Sequence, residues 1–290
     1  MSFSSLKKRS GTSLEKLVQE AEKLNKQSGS ADERFWKPEL DKSGNGYAVI
    51  RFLPAPDGEE LPWAKVYSHA FQGSGGWYIE NSLTTVNKKD PVGEVNRKLW
   101  NSGLDSDKDI ARKQKRKLSY YTNIQVVRDP AHPENEGKVF LYKFGKKIYD
   151  KITAAMQPEF EDETPINPFD LWEGANFKLK ICKVAGFWNY DKSEFDTAAT
   201  LGDLSDKELE GIWKQEHSLA AFTADDQFKP YEELKERLER TLKGNYSKVE
   251  DEQFDEEATP TPVPTETAAY QPPASGDDTL SYFAKLAQED

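Results

Sequence analysis

Cations and flat rings alternate through Arg112 to Lys151, RKQKRKLSYYTNIQVVRDPAHPENEGKVFLYKFGKKIYDK. This stretch holds eleven Lys or Arg against four Asp or Glu, in a chain whose formal net charge is -11. Tyr120, Tyr121, Phe140, Tyr142, Phe144 and Tyr149 lie among the cations. Cations neutralise phosphates and rings stack on unpaired bases, so the chemistry on offer is recognition of single-stranded nucleic acid. Lys115, Arg116, Lys117, Arg128, Lys146 and Lys147 are the candidate phosphate contacts. The competing reading is ordinary: basic strands form solvated faces, and rings fill a half-buried pleat. Alternation favours the functional reading. From Val139 to Phe144, the aliphatic Val139 and Leu141 share one face and the rings Phe140, Tyr142 and Phe144 share the other. The expectation is a core on the aliphatic side and open rings beside the cations.

Other chemistries lack their residues. There is no GxxxxGK[ST] phosphate loop, and three His with one Cys offer no Ser-His-Asp or Cys-His arrangement. Glu134 and Glu136 sit in a turn-like DPAHPENEG segment rather than on paired strands. An enzyme is therefore not expected. A metal-dependent nuclease and a scaffold for an acidic partner are the alternatives carried beside nucleic-acid binding.

The elements that must position these residues follow in order. Residues 1–31 form a basic arm, with Lys7, Lys8, Arg9, Ser10 and Thr12, followed by an amphipathic helical pattern at Leu14, Leu17, Val18, Ala21 and Leu24. Thr12, with Glu15 three residues on, has the spacing of a capping box. A helix this short is marginal alone, so it is expected to order on a partner, such as a second copy of the chain. The core spans 32–244. Asn45-Gly46 and Pro54 bracket a strand, YAVIRFL, in which Arg51 shares phase with Val49 and Leu53, an odd place for a cation without a ligand. Trp63 to Phe71 and Gly76 to Asn81 read as a hairpin. Residues 82–112 read as irregular and polar. A helical stripe follows at Ile148, Ile152 and Ala155, then a strand at Asn176 to Val184, the segment GFWNYD, and helices starting at Ser205 and near Pro230. Residues 245–290 read as an acidic, Pro- and Thr-rich disordered linker ending in a partner-binding motif: Asp277, Asp278, Leu280, Phe283 and Leu286.

Hydrophobic residues make up 36% of the chain and mean hydropathy is -0.84, which suits one compact core with polar ends. The single Cys182 suits a reducing compartment, and no apolar run reaches membrane-spanning length. The expectation is a soluble, cytoplasmic protein with no membrane partner. Its fold class is expected to be α+β: an OB-fold-like β-barrel core, an inserted irregular subdomain and flanking helices.

The block from Lys115 to Ile152, together with NGYAVIRFLP (Asn45 to Pro54), GWYIE (Gly76 to Glu80), WEGANFKLK (Trp172 to Lys180) and GFWNYD, closely resembles the helix-destabilising single-stranded DNA-binding proteins of T4-like bacteriophages, the gene 32 protein family. The resemblance implies a basic arm for cooperative head-to-tail binding, an OB-fold core on the strand, and an acidic tail. The tail would contact replication and recombination proteins such as polymerase, helicase loader and recombinase, and would compete with DNA for basic surface. It implies coating of single strands in phage replication, recombination and repair, in the host cytoplasm. DNA contacts carried over are Arg51, Arg116, Tyr120, Tyr142, Phe187 and Tyr190, while Tyr121 and Tyr149 stand where the family often has Trp. One departure concerns a structural zinc held in well-known members by one His and three Cys. His69 keeps the first position; Ser82, Asp90 and Gly93 correspond to the others. Zinc needs about four ligands of N or S type, so no metal and no cofactor is expected.

Overall fold

The structure is a computed structural model that describes residues 32–160 and 162–243. The arm at 1–31 and the tail from 245 lie outside the described residues. Among the described residues no helix is long and apolar enough to cross a membrane.

Eight strands form an antiparallel sheet: β1 (Gly46–Phe52), β2 (Ala64–Gly73), β3 (Gly76–Asn81), β4 (Lys117–Arg128), β5 (Val139–Phe144), β6 (Phe177–Val184), β7 (Phe187–Asn189) and β8 (Glu194–Phe195). Their order is β3-β2-β4-β1-β6-β7, with β5 added on β4 and β8 on β6, so the sheet is open. Among the described residues five α-helices accompany it: α1 (Pro91–Asn101), α2 (Asp105–Lys113), α3 (Lys146–Met156), α4 (Asp206–Trp213) and α5 (Tyr231–Lys243). The architecture is α+β.

The long strand β4 organises the sheet. Lys117 to Tyr121 pair with β2, Ile124 to Arg128 pair with β1, and Tyr120 to Gln125 pair with β5. Both of its faces are covered. Tyr120, Ile124 and Val126 enter the main core with Ile50, Phe52 and Phe177. On the reverse face the buried polar side chains find partners. Asn123 Nδ2 donates to His217 O at 2.8 Å, and Asn123 Oδ1 accepts from His217 N at 2.9 Å. Gln125 Nε2 donates to Gly137 O at 3.0 Å.

This reverses the face expected for β5. Its ring side, Tyr142 and Phe144, lies inside the main core against Trp36, Phe52 and Tyr120, with Phe140 packed at its margin. Leu141 is buried on the opposite side with Ala64 and Leu219. Rings carry the larger apolar area, so they take the larger core. The segment at 82–112 is also more regular than expected. Asp90 caps α1 by accepting from Gly93 N, Pro91 occupies its first turn, and α2 follows after a short turn. The α1–α2 pair forms a flap over β2 and β3, where Leu83 and Val92 meet Phe71, Tyr78, Leu234 and Leu238. The turn between β2 and β3 closes on the end of α5. Gly75 N donates to Thr241 O at 2.7 Å and Ser74 Oγ to Leu242 O at 2.6 Å. A Cβ at Gly75 would stand 2.1 Å from Arg240 O, so only Gly fits there.

Arg51, expected to meet a phosphate, is 1% exposed. Its guanidinium donates through Nη2 to Asp170 O at 2.7 Å and Ala199 O at 2.9 Å. It ties two loop carbonyl groups to β1, and Gly174 leaves it room: a Cβ there would stand 2.9 Å from Nη2. Burial pulls its pKa below the ordinary value, and the charge of Asp170 acts in the other direction. Hydrogen bonds from a charged donor contribute about 1.5–3 kcal/mol each. Arg51→Met should therefore lower the unfolding free energy by about 3 kcal/mol, read as a shift in urea midpoint. The affinity of the folded variant for an oligonucleotide should stay within about twofold of the parent, since the side chain has no free surface.

A second buried titratable group sits after α4. Both carboxyl oxygens of Glu216 are buried without a hydrogen-bond partner among the described residues. Burial first, and then the charge of Glu59, push its pKa up to about 8. Glu59 is engaged elsewhere, accepting from Ser218 Oγ, Leu219 N and Ala220 N. A carboxyl whose folded pKa exceeds its unfolded value binds more protons when native, so stability falls as pH rises between about 4.5 and 8. Glu216→Gln has no proton to lose. Its thermal midpoint should exceed the parent's at pH 8 by on the order of 3 °C, and the gap should shrink toward pH 5.

Candidate nucleic-acid interface

In an antiparallel pair, residues directly opposite project from one face. Phe144 lies opposite Tyr120, Tyr120 opposite Lys65, and Leu118 opposite Tyr67. One face therefore runs from the core, through Phe144 and Tyr120, to Lys65 and Tyr67 at the surface. Rings line its inner end. Tyr120 stacks on Phe144 (5.5 Å between centroids, 14° between planes) and on Tyr149 of α3 (4.1 Å, 6°). Trp63 meets Tyr149 edge-on at 5.9 Å. Cations line the outer end. The Arg116 guanidinium lies over the Tyr67 ring at 4.1 Å, and Lys65 Nζ lies 5.2 Å from the same ring. Lys115 and Arg116 are exposed at the entry to β4, and Lys117 is half-buried.

A second ring-and-cation group forms the β6–β7 hairpin. Ala185 (φ 52) and Gly186 (φ 83) make its two-residue turn with both residues left-handed, the geometry that matches strand twist. Phe187 is 42% exposed. Lys183 Nζ sits 4.8 Å from the Trp188 ring, and Tyr190 is half-buried. Helix α3 clips this hairpin down, because Lys147 Nζ donates to Trp188 O at 3.0 Å and Lys151 Nζ to Asp191 O at 3.1 Å.

The expected site residues thus divide. Lys115, Arg116 and Tyr149 gather at the face just described, Lys117 lies opposite Ser68 on the reverse side of β4, and Phe187 and Tyr190 belong to the neighbouring hairpin. Lys147 is engaged in holding that hairpin, and Lys146 pairs with Asp150 at 2.7 Å. Four more expected contacts are placed elsewhere. Arg51 is interior. Tyr142 is 5% exposed and packs against Trp36 at 5.5 Å. Tyr121 points to the reverse face, stacked on Phe222 at 4.3 Å, because odd positions of β4 leave the ring face. Arg128 is exposed but lies eight residues beyond Tyr120, roughly 26 Å along the strand. Tyr120 itself is 5% exposed, so it supports Tyr149 rather than offering a free ring face. Lys65, Tyr67, Trp63 and Lys183 were missed. The signal for the first two was present: Lys65 and Tyr67 alternate with Ala64 and Val66 in β2, as the chosen cations and rings do elsewhere. The expected contacts of the arm (Lys7, Lys8, Arg9, Ser10, Thr12) and of the tail (Asp277, Asp278, Leu280, Phe283, Leu286) lie outside the described residues.

The four positions assigned by resemblance to a zinc site do come together, but their chemistry does not fit the metal. Gly93 offers only a backbone N–H, which donates to Asp90 Oδ1 at 3.1 Å. Ser82 Oγ donates to Asp90 Oδ2 at 2.9 Å. His69 presents Nε2 to Asp90 Oδ1 at 3.2 Å and Nδ1 to Gln114 O at 3.1 Å. One ring and one carboxylate, each facing the other, do not make four ligands. Among the described residues no three His, Cys, Asp or Glu side chains form a metal-binding group.

A family model described as gp32 DNA binding protein like matches residues 44–242. The single-stranded DNA-binding protein of Enterobacteria phage T4 is 42% identical over 230 residues, 78% of this chain and 76% of that protein. The protein of the same name from Enterobacteria phage T2 is 42% identical over 215 residues, 73% of this chain and 71% of that one. A shorter match, 50% identical over 56 residues, links 19% of this chain to half of the single-stranded DNA-binding protein of Escherichia phage SV14.

Proposed function

The chain belongs to the gp32-like family of DNA-binding proteins, and from that premise we propose that it binds single-stranded DNA without catalysis and serves phage DNA replication, recombination and repair. The observation that carries this reading is the continuous face that leaves the core at Tyr120 and ends at Lys65, Tyr67 and Arg116. Lys115, Arg116 and Lys65 take phosphates there, while Tyr67, Tyr149 and the hairpin ring of Phe187 take bases. Every base has a flat face, so such a surface tolerates any sequence. The core is read as an OB-type barrel. Support comes from the way β4 pairs with β1 and β2 along one edge and with β5 along the other.

The segments outside the described residues complete the proposal. The basic arm, with Lys7, Lys8 and Arg9, links neighbouring copies along a strand. The acidic tail, with Asp277, Asp278, Leu280, Phe283 and Leu286, contacts replication and recombination proteins. Opposite charge in tail and core supports competition between tail and DNA. The protein works in the host cytoplasm and needs no cofactor.

Titration of the full chain with oligo(dT) at several salt concentrations tests the reading. Binding should weaken steeply with salt, quench aromatic fluorescence and leave the oligonucleotide intact in magnesium. Tyr67→Ala should cost about 1–3 kcal/mol of binding, as loss of a stacking ring does. Arg116→Ala should flatten the log–log salt slope by about one. No salt dependence, or cleavage of the oligonucleotide, would reject the proposal.

A further inference from the structure

The buried polar group beneath the flap does more than fill space. Asp90 is 4% exposed, His69 2% and Ser82 0%. The Asp90 carboxylate accepts from four donors: His69 Nε2, Ser82 Oγ, Leu83 N and Gly93 N. Burial works to raise its pKa. The His69 contact and the bonds from Gly93 and Ser82 outweigh burial and hold the carboxyl below its ordinary value. It is therefore a fixed negative charge.

Hydroxyl stereochemistry then sets a direction. Ser82 has one hydroxyl proton, and it is given to Asp90. The 3.0 Å contact between Ser82 Oγ and Thr84 Oγ1 must accordingly be a donation from Thr84 to Ser82. Thr84 Oγ1 then keeps its lone pairs for Arg116, whose Nη1 donates to it at 2.7 Å. The chain Arg116 to Thr84 to Ser82 to Asp90 points every proton toward the buried carboxylate. Its outer end is the guanidinium that lies 4.1 Å over Tyr67. The backbone beneath that ring is tied to the same turn: Ser82 N donates to Tyr67 O at 2.8 Å and Tyr67 N to Thr85 Oγ1 at 2.9 Å.

We propose that Asp90 is a positioning residue for the nucleic-acid interface, holding Arg116 over Tyr67 through the hydroxyls of Ser82 and Thr84. These hydrogen bonds register the flap to the binding face, in addition to the apolar packing beneath it. The group occupies the positions that the sequence resemblance assigns to a zinc site, and here it orders an exposed cation. The role rests on the proposed binding of single-stranded DNA. Arg116 is exposed and otherwise has many rotamers to lose on meeting a phosphate, so ordering it beforehand lowers the cost of binding.

A double-mutant cycle in the full chain separates positioning from mere stability. Thr84→Val removes the acceptor for Arg116 with little change in volume, at a half-buried site that does not threaten the fold. Asp90→Asn removes the charge at the far end. Each should weaken oligo(dT) binding about fivefold and lower the salt slope by about one. Thr84→Ser should restore both. In an Arg116→Ala background, Thr84→Val should change affinity less than about twofold, because the group it positions is gone. Should Asp90→Asn fail to fold, the Thr84 variants carry the test. Parental affinity and slope in Thr84→Val, or an equal loss with and without Arg116, would overturn the proposal. If the parent itself did not bind oligo(dT), the functional reading would fail instead.

Discussion

Among the described residues, the face that carries Lys65, Tyr67 and Arg116 is fixed by the pairing of β4 along both of its edges. A strand held on two sides cannot slip, because a shift of one residue would exchange its faces. That constraint puts Tyr120 inside, between Phe144 and Tyr149, and puts Arg116, just before the strand, over Tyr67. Stacked rings add about 0.5–1.5 kcal/mol per pair beyond the area they bury. The inner rings therefore brace the outer ones. Tyr149 rests on a buried ring stacked on its far side by Phe144, and Lys147 and Lys151 on the same helix clip the hairpin carrying Phe187.

The legible parts of the fold were those with short-range causes. Asn45-Gly46 and Pro54 bracket β1 because turn chemistry is local. Ser205 with Glu208 starts α4 through a complete capping box. At 82–112 the same kind of signal was available: Asp90-Pro91 is a cap followed by a first-turn Pro. It was obscured because these helices are mostly charged and each buries little, with Val92 and Ala111 their principal buried apolar residues. A helix that rests on so narrow a stripe looks irregular when judged by hydrophobic period alone. The choice of face in β5 failed for another reason. Alternation says which residues share a side, not which side is inside, and here both sides are covered.

The site was legible as a segment and illegible as a surface. Lys115 and Arg116 lie at the candidate face, as do Tyr120 and Tyr149. Whether a given ring is a wall or a platform depends on what lies across from it, and that partner comes from distant sequence: Trp36 covers Tyr142, Phe222 covers Tyr121, and Asp170 and Ala199 receive Arg51. The apolar neighbours of Arg51 in β1 announced an interior position. A cation buried there needs acceptors, and loop carbonyls serve as well as phosphates. Lys65 and Tyr67 were passed over because β2 reads as a plain hairpin strand, and only the register to β4 brings them beside Tyr120 and Leu118.

The flap shows how a hydrogen-bonded group and apolar packing hold positions that the sequence resemblance assigns to a metal. A structural zinc ion contributes on the order of 10 kcal/mol to the small domains that it holds together. Hydrogen bonds to a charged carboxylate contribute about 1.5–3 kcal/mol each, and part of that is spent on desolvating Asp90 and His69. The hydrogen-bonded group therefore cannot replace such an ion one for one. The difference must come from apolar packing, and the structure has the contacts for it. Helix α5 presses Leu234 and Leu238 against Leu83, Val92, Phe71 and Tyr78, and the β2–β3 turn in its turn caps α5. Polar contacts set where the flap sits; the apolar layer beneath it supplies most of what keeps it there.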